Sequence, residues 1–249
     1  MKIGIITAMP EETRAILKKA VQVTKTRLDR HRIWHFGVGG HEITLFEAGM
    51  GSRNAGSAAS AAASEKPDLM ISAGFGGGVL PGLKIADVLV AEQLFAWTGT
   101  GLEQATVPLY ELDNSRTSFL LRGSFVTCDS ILNKRQLAEL LPKSAKQPVV
   151  EMESAAVAGV AVEHGIPFLG IRAISDPWDE ELGFSITEFC DDKMRIRALK
   201  VFATILRRPY IIPQLIRLAR NSRMAAKGLG TAMHRLLQQL PHPDHRSLS

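Results

Sequence analysis

Four ionisable side chains stand at the ends of apolar runs. Glu12 closes the segment Thr7-Ala8-Met9-Pro10-Glu11-Glu12, Glu153 lies in Val150-Glu151-Met152-Glu153-Ser154, and Arg172 and Asp176 bracket Arg172-Ala173-Ile174-Ser175-Asp176. Ionisable groups flanking a run that should be buried need partners, because an unpaired charge out of water is costly. The carboxyl edge of a sheet is also where α/β enzymes place their ligands. Acids in that place suit general acid–base work, and two of them in different environments divide it, one giving a proton and the other taking one. For Glu11 and Glu12 there is a rival reading, since a carboxylate in the first turn of a helix is favourable electrostatics by itself.

Two glycine segments offer backbone rather than side chains. Gly49-Met50-Gly51-Ser52-Arg53-Asn54 lies between a strand and a helix and can turn N–H groups toward an anion or a sugar. Asn54 stands where a dinucleotide fingerprint needs its third glycine, and a tight turn explains the glycines equally well. Gly74-Phe75-Gly76-Gly77-Gly78 makes a poor strand or helix, so the chain there either bends sharply or admits a ligand to its backbone, with a flexible loop as the rival. The seven histidines show no metal-ligand spacing, and His234, His242 and His245 fall in a polar tail. No metal or organic cofactor is expected. Cys128 and Cys190 lack CxxC spacing, which fits a reducing, cytoplasmic setting.

These residues need a scaffold, and periodicity supplies one in which short apolar strands alternate with helical stretches. Strands are expected at 3–7, 33–38, 42–47, 69–73, 88–92, up to 127, 148–150 and 168–174; the second and third form a hairpin through Gly39 and Gly40. Helices are expected at 10–19, 52–65, 134–141 and 154–164, with a long one from Thr187. The chain of 249 residues is 45% hydrophobic and 22% charged, which excludes wholesale disorder. The apolar start is short and is followed by Pro10, Glu11 and Glu12, so it reads as a strand rather than a signal peptide. No apolar run reaches membrane-spanning length.

The net charge of +5 hides a division after Asp192. Residues 193–249 carry 12 Lys or Arg against one acid, Asp244, while the rest of the chain holds 18 basic and 24 acidic side chains. Such asymmetry points to an anionic surface, with a solvated helix face as the plainer alternative. Pro209 and Pro213 open a helix that Gly228 and Gly230 are expected to break before a last one at 231–240. On it Ile211, Ile212, Leu215, Ile216, Leu218 and Ala219 cluster on one face and Arg217, Arg220, Arg223 and Lys227 on another. That is the composition of an interfacial membrane binder, or of a helix whose apolar side packs on its own domain or a partner subunit. Nucleic acid fits less well, because Tyr210 is the one aromatic residue after Arg208.

Taken in order, MKIGIITAMPEE, GMG, VVEMESAAVA and GIPFLGIRAISD resemble the purine and uridine phosphorylase superfamily, most closely its methylthioadenosine/S-adenosylhomocysteine nucleosidases. The resemblance runs from Met1 to about Cys190. It implies a three-layer αβα fold with a mixed central sheet. The chain is expected to divide into a catalytic domain over 1–208 and, outside the resemblance, a basic amphipathic helical extension over 209–249. The resemblance further implies that Glu12 activates the attacking water as a general base, that Asp176 protonates N7 of the purine with Ser175 holding its carboxyl, that Glu153 takes the ribose hydroxyls while Met152 packs on the sugar, and that Arg172 positions the nucleophile. Breaking a C1′–N9 bond leaves positive charge on the sugar and negative charge on the base, which acids so placed would serve. Asp176 must then carry a proton near neutral pH, and burial at the end of an apolar strand is the expected means.

Departures from the family pattern shape the expected substrate. Ile131 stands where the nucleosidases stack an aromatic ring on the purine, Phe75 stands where a small hydroxyl residue is usual, and Ile71, Ser72 and Ala73 replace the stretch that carries a phosphate-binding arginine. The stretch between Glu92 and Phe125 is too short for the usual strand and helix that close over the 5′ substituent. With the basic tail, these features resemble the hopanoid-biosynthesis-associated members, which act on adenosylhopane. The expected activity is release of adenine from a 5′-substituted adenosine by water, in a homo-oligomeric cytoplasmic enzyme with peripheral membrane association. The alternatives are a nucleoside phosphorylase, a dinucleotide-dependent oxidoreductase built on Gly49 and Gly51, and a non-catalytic lipid or nucleic-acid binding module.

Overall fold

The computed structural model describes residues 1–28, 31–129, 133–180, 204 and 207–241; the helix expected from Thr187 lies outside them. Among these residues ten strands form one mixed sheet and five helices cover it. In chain order they are β1 (Lys2–Thr7), α1 (Pro10–Leu17), β2 (Val21–Leu28), β3 (His31–Val38), β4 (His41–Glu47), α2 (Ser52–Ala63), β5 (Leu69–Gly78), β6 (Val88–Trp97), β7 (Leu102–Gln104), β8 (Leu121–Thr127), α3 (Lys134–Leu140), β9 (Val149–Glu151), α4 (Ser154–Glu163), β10 (Phe168–Asp176) and, after a 3-10 turn, α5 (Ile212–Gln239).

The strands are apolar on both faces because both are covered. Ile3, Ile5, Ile71 and Ile171 pack toward Ile16 of α1 and Leu229, Met233 and Leu236 of α5. Their neighbours Ile6, Met70 and Phe168 face the alanines of α2 and Val157 and Ala161 of α4. This is the two-residue alternation of a strand read against two helical layers. Small side chains on α2 let it lie close to the sheet.

The sheet order is β10-β6-β8-β9-β5-β1-β4-β3-β2, and β10 also pairs in parallel with β5. Five strands therefore close into a ring. The closure brings the end of β9, the middle of β10 and the glycine-rich half of β5 together, with Arg172 opposite Gly74 and Gly77 opposite Val150.

Two local readings of the sequence are corrected, and one strand is added. The glycine run is the second half of a ten-residue strand rather than a bend or loop. Its glycines are there for what approaches them: a Cβ at Gly74 would lie 2.8 Å from Glu12 Oε1, and one at Gly76 would overlap Val149. Gly228 and Gly230 do not break the last helix, which runs unbroken for 28 residues. They let its backbone press against neighbours, since a Cβ at Gly228 would sit 2.7 Å from the Ala86 carbonyl and one at Gly230 would overlap that of Ala15. Finally, β2 pairs with β3 at the sheet edge although all eight of its residues are exposed, so it shows no buried alternation to read. Between β6 and β8 the chain makes only the short strand β7 and irregular segments.

Candidate active site

Glu12 sits in the first turn of α1, behind Pro10, and is 2% exposed. Its Oε2 accepts the N–H groups of Ala8 (2.9 Å) and Met9 (2.8 Å), and its Oε1 accepts that of Phe75 (2.8 Å). The capping reading is thus half of the truth: the carboxyl closes its own helix start and also reaches the glycine run of β5. Burial, then the charge of Glu153, push its pKa up to about 7, against the Met9 and Phe75 N–H groups and Arg172. Glu11 remains a surface group paired with Arg14.

Arg172 is 1% exposed and forms a buried ion pair with Glu151; Glu153 lies 3.5 Å from the same nitrogen and Ser72 Oγ 3.0 Å. Its Nε has no hydrogen-bond partner among the described residues. Glu151 also accepts the Thr127 hydroxyl and the N–H groups of Glu153 (3.0 Å) and Ser154 (2.8 Å). Burial works to raise the Glu151 carboxyl, but Arg172 and these donors more than offset it and hold it below the ordinary value. For Glu153 burial prevails over Arg172, and with Glu151 beside it the carboxyl is held above the ordinary value. The Gly51 N–H donates to Glu153 Oε1 (2.9 Å) and the Ser52 hydroxyl to the Met152 carbonyl (3.0 Å). The anion at the start of α2 is therefore the protein's own Glu153, and Gly51, at φ +92°, holds that carboxylate. Met152 and Phe75 are half-buried.

Asp176 ends β10. Its Oδ1 accepts the Ser175 hydroxyl at 2.7 Å and its Oδ2 forms an ion pair with Lys134, the first residue of α3. Burial is not what surrounds this carboxyl, whose side chain is 25% exposed; its neighbours are a hydroxyl and an ammonium. Gly77 lies against Oδ2 with no room for a Cβ. Glu12 and Asp176 are therefore both seated on β5, at Gly74 and Gly77, a spacing of roughly 10 Å at strand rise. Ile131 lies outside the described residues.

Lys134, Glu151 and Thr127 belong to this cluster and were not selected from sequence. Glu151 lies in Val150-Glu151-Met152-Glu153-Ser154, where its type and spacing alone assign it no role. Lys134 did carry a signal: a cation at the first position of a helix opposes the helix dipole, so something else must hold it there.

Past Met9 and Phe75 opens a groove of about 1100 Å³ between α1 and α5. Its wall is largely apolar, with Leu215, Ile216, Leu218 and Ala219 from α5, and Arg14, Lys18, Lys19, Arg223 and Lys227 also line it. Arg223 and Lys227 thus share the groove face of α5 with its apolar residues, while Arg217 and Arg220 lie off it. Arg217 is paired with Glu180 at 2.6 Å, and Arg235 stacks 4.0 Å over the Phe119 ring. The second half of α5 is core: Leu229, Met233, Leu236 and Leu237 are buried. Among the described residues no helix is long and apolar enough to cross a membrane.

A mixed sheet closed around a cluster of strand-end acids and a buried arginine defines the class, and a family model supplies its name. Residues 2–207 match the phosphorylase superfamily, and the chain belongs to it. A 5′-methylthioadenosine/S-adenosylhomocysteine nucleosidase of an Exiguobacterium species is 30% identical over 213 residues, 77% of this chain and 91% of that protein. The corresponding enzyme of Listeria welshimeri is 30% identical over 214 residues, 76% of this chain and 92% of the relative. Among solved structures, the Neisseria meningitidis nucleosidase in complex with methylthio-immucillin-A superposes with a TM-score of 0.70 at 20% identity, covering 96% of this chain and 99% of that one.

Proposed function

We propose that this chain is a purine nucleoside N-glycosidase that uses water to release adenine from a 5′-substituted adenosine. The observation that carries the reading is the Glu12 carboxyl: buried, fixed by three backbone N–H groups, held near pKa 7, and set on the same glycine strand as Asp176. A general base works best when its pKa lies near the operating pH. In the proposed reaction Glu12 takes a proton from water as the oxygen adds to C1′, and Asp176 gives a proton to N7 as the C1′–N9 electron pair passes to the purine. Glu153, pinned by Gly51, receives the ribose hydroxyls, and Met152 packs on the sugar. Arg172 acts on the attacking oxygen through Nε, its one nitrogen with no partner among the described residues. Glu12, Glu151 and Glu153 around one arginine give a local excess of carboxylates that favours water over a phosphate dianion as nucleophile.

The 5′ substituent follows from the groove. Its apolar wall begins at Met9 and Phe75, both bonded through their N–H groups to Glu12, and its volume exceeds what a small thioether fills. A lipid-linked nucleoside such as adenosylhopane fits this shape, and the basic residues along the groove suit an enzyme working at an anionic bilayer surface. The test is adenine release from nucleosides with progressively longer apolar 5′ groups, with and without phosphate. The expected result is phosphate-independent release with kcat/KM rising with the apolar length. No adenine from any substrate overturns the activity; preference for the shortest 5′ group overturns the lipid reading.

A further inference from the structure

Lys134 is 8% exposed, yet it occupies the first position of α3, where the helix dipole disfavours a cation. The cap does not need it, because the Asn133 side chain already accepts the N–H groups of Arg135 and Gln136. Taking an ammonium out of water is costly unless its protons are met. Those of Lys134 are met by one short segment: the Asp176 carboxylate, the Pro177 carbonyl at 2.7 Å and the Asp176 carbonyl at 3.5 Å. Gly77 keeps the space clear, since a Cβ there would overlap Asp176 Oδ2 and lie 3.1 Å from Lys134 Cε. Three elements, β5, α3 and β10, thus converge to place one ammonium on one carboxyl.

We propose that Lys134 is the positioning residue of the purine-side acid and works through Asp176 to supply the proton that the departing base takes. This rests on the nucleosidase reading above. As the C1′–N9 bond breaks, its electron pair goes to the purine, an Nζ proton crosses to Oδ2 of the Asp176 carboxylate, and N7 takes the proton of the carboxyl so formed. Asp176 ends as a carboxylate beside a neutral Lys134 amine, which solvent reprotonates. The water proton taken by Glu12 returns to solvent, so the cycle closes with no other reactant.

The experiment compares the full-length wild type with K134M and K134Q on two ribosides that differ in leaving group. One is a 5′-substituted adenosine, whose base needs the N7 proton; the other is the matching 4-nitrophenyl riboside, whose phenolate leaves without one. In variants whose thermal melting shows them folded, kcat for adenine release should fall by about 100-fold or more with KM within about threefold. Nitrophenolate release should stay within about threefold of wild type. Loss on both ribosides together, or on neither, in either folded variant overturns the role of Lys134. A wild type that cleaves neither riboside overturns the nucleosidase reading itself, a separate failure.

Discussion

Gly77 and Asp176 lie so close across β5 and β10 that a single Cβ on the glycine would overlap the carboxylate, which Lys134 and Ser175 hold from the other sides. The glycine run is a row of such approaches, with Glu12 against Gly74, Val149 against Gly76 and Asp176 against Gly77. Side chains are excluded from these three positions by their partners.

Substitutions along the run should therefore separate function from stability. G74A and G77A are expected to lower kcat by at least about tenfold, by displacing a carboxyl from its site, as steady-state assays would read. G76A overpacks against Val149 instead and should cost about 1–3 kcal/mol in denaturant unfolding.

The pH dependence follows from Glu12. Its carboxyl must be ionised to act as a base, so kcat/KM should fall about tenfold per pH unit below a midpoint near 7. E12Q should lose about 100- to 10,000-fold and leave no such limb. The stability effect has the opposite sense. A carboxyl raised from 4.5 to about 7 binds its proton more tightly in the folded state, so its contribution is full below pH 4.5 and fades as pH rises through 7. The loss amounts to about 3 kcal/mol by linkage, measurable by urea unfolding at pH 5 and pH 8.

Arg172 tests the buried cluster. R172M leaves Glu151 and Glu153 without their cation and should destabilise the fold by about 3–5 kcal/mol. The double variant E151Q/R172M removes one of the stranded charges and should recover part of that loss in the same unfolding assay.

Membrane association is best tested by charge. Deleting the last helix would remove Leu229, Met233 and Leu236 from the core, so truncation confounds binding with unfolding. Arg207 and Arg220 are exposed and do not line the groove. R207E/R220E should reduce co-sedimentation with anionic vesicles severalfold while leaving cleavage of a soluble nucleoside unchanged.

Legible in the amino-acid order alone are which runs are buried strands, that acids and an arginine stand at their ends, and that the charge is divided along the chain. Such features are local: an apolar run such as Ile3 to Thr7 or Phe168 to Ile174 declares its burial whatever it packs against. Contacts between distant segments emerge only once the chain is folded. The closure of β10 onto β5, the partner of Arg172 among three nearby acids, and the seat of Lys134 on Asp176, 42 residues away, are of this kind. The glycines show the same limit. Absence of a side chain reads as a break at 74–78 and at 228–230, because composition records the loss of propensity but not the neighbour that needs the space. In both places the neighbour decides, and strand and helix continue.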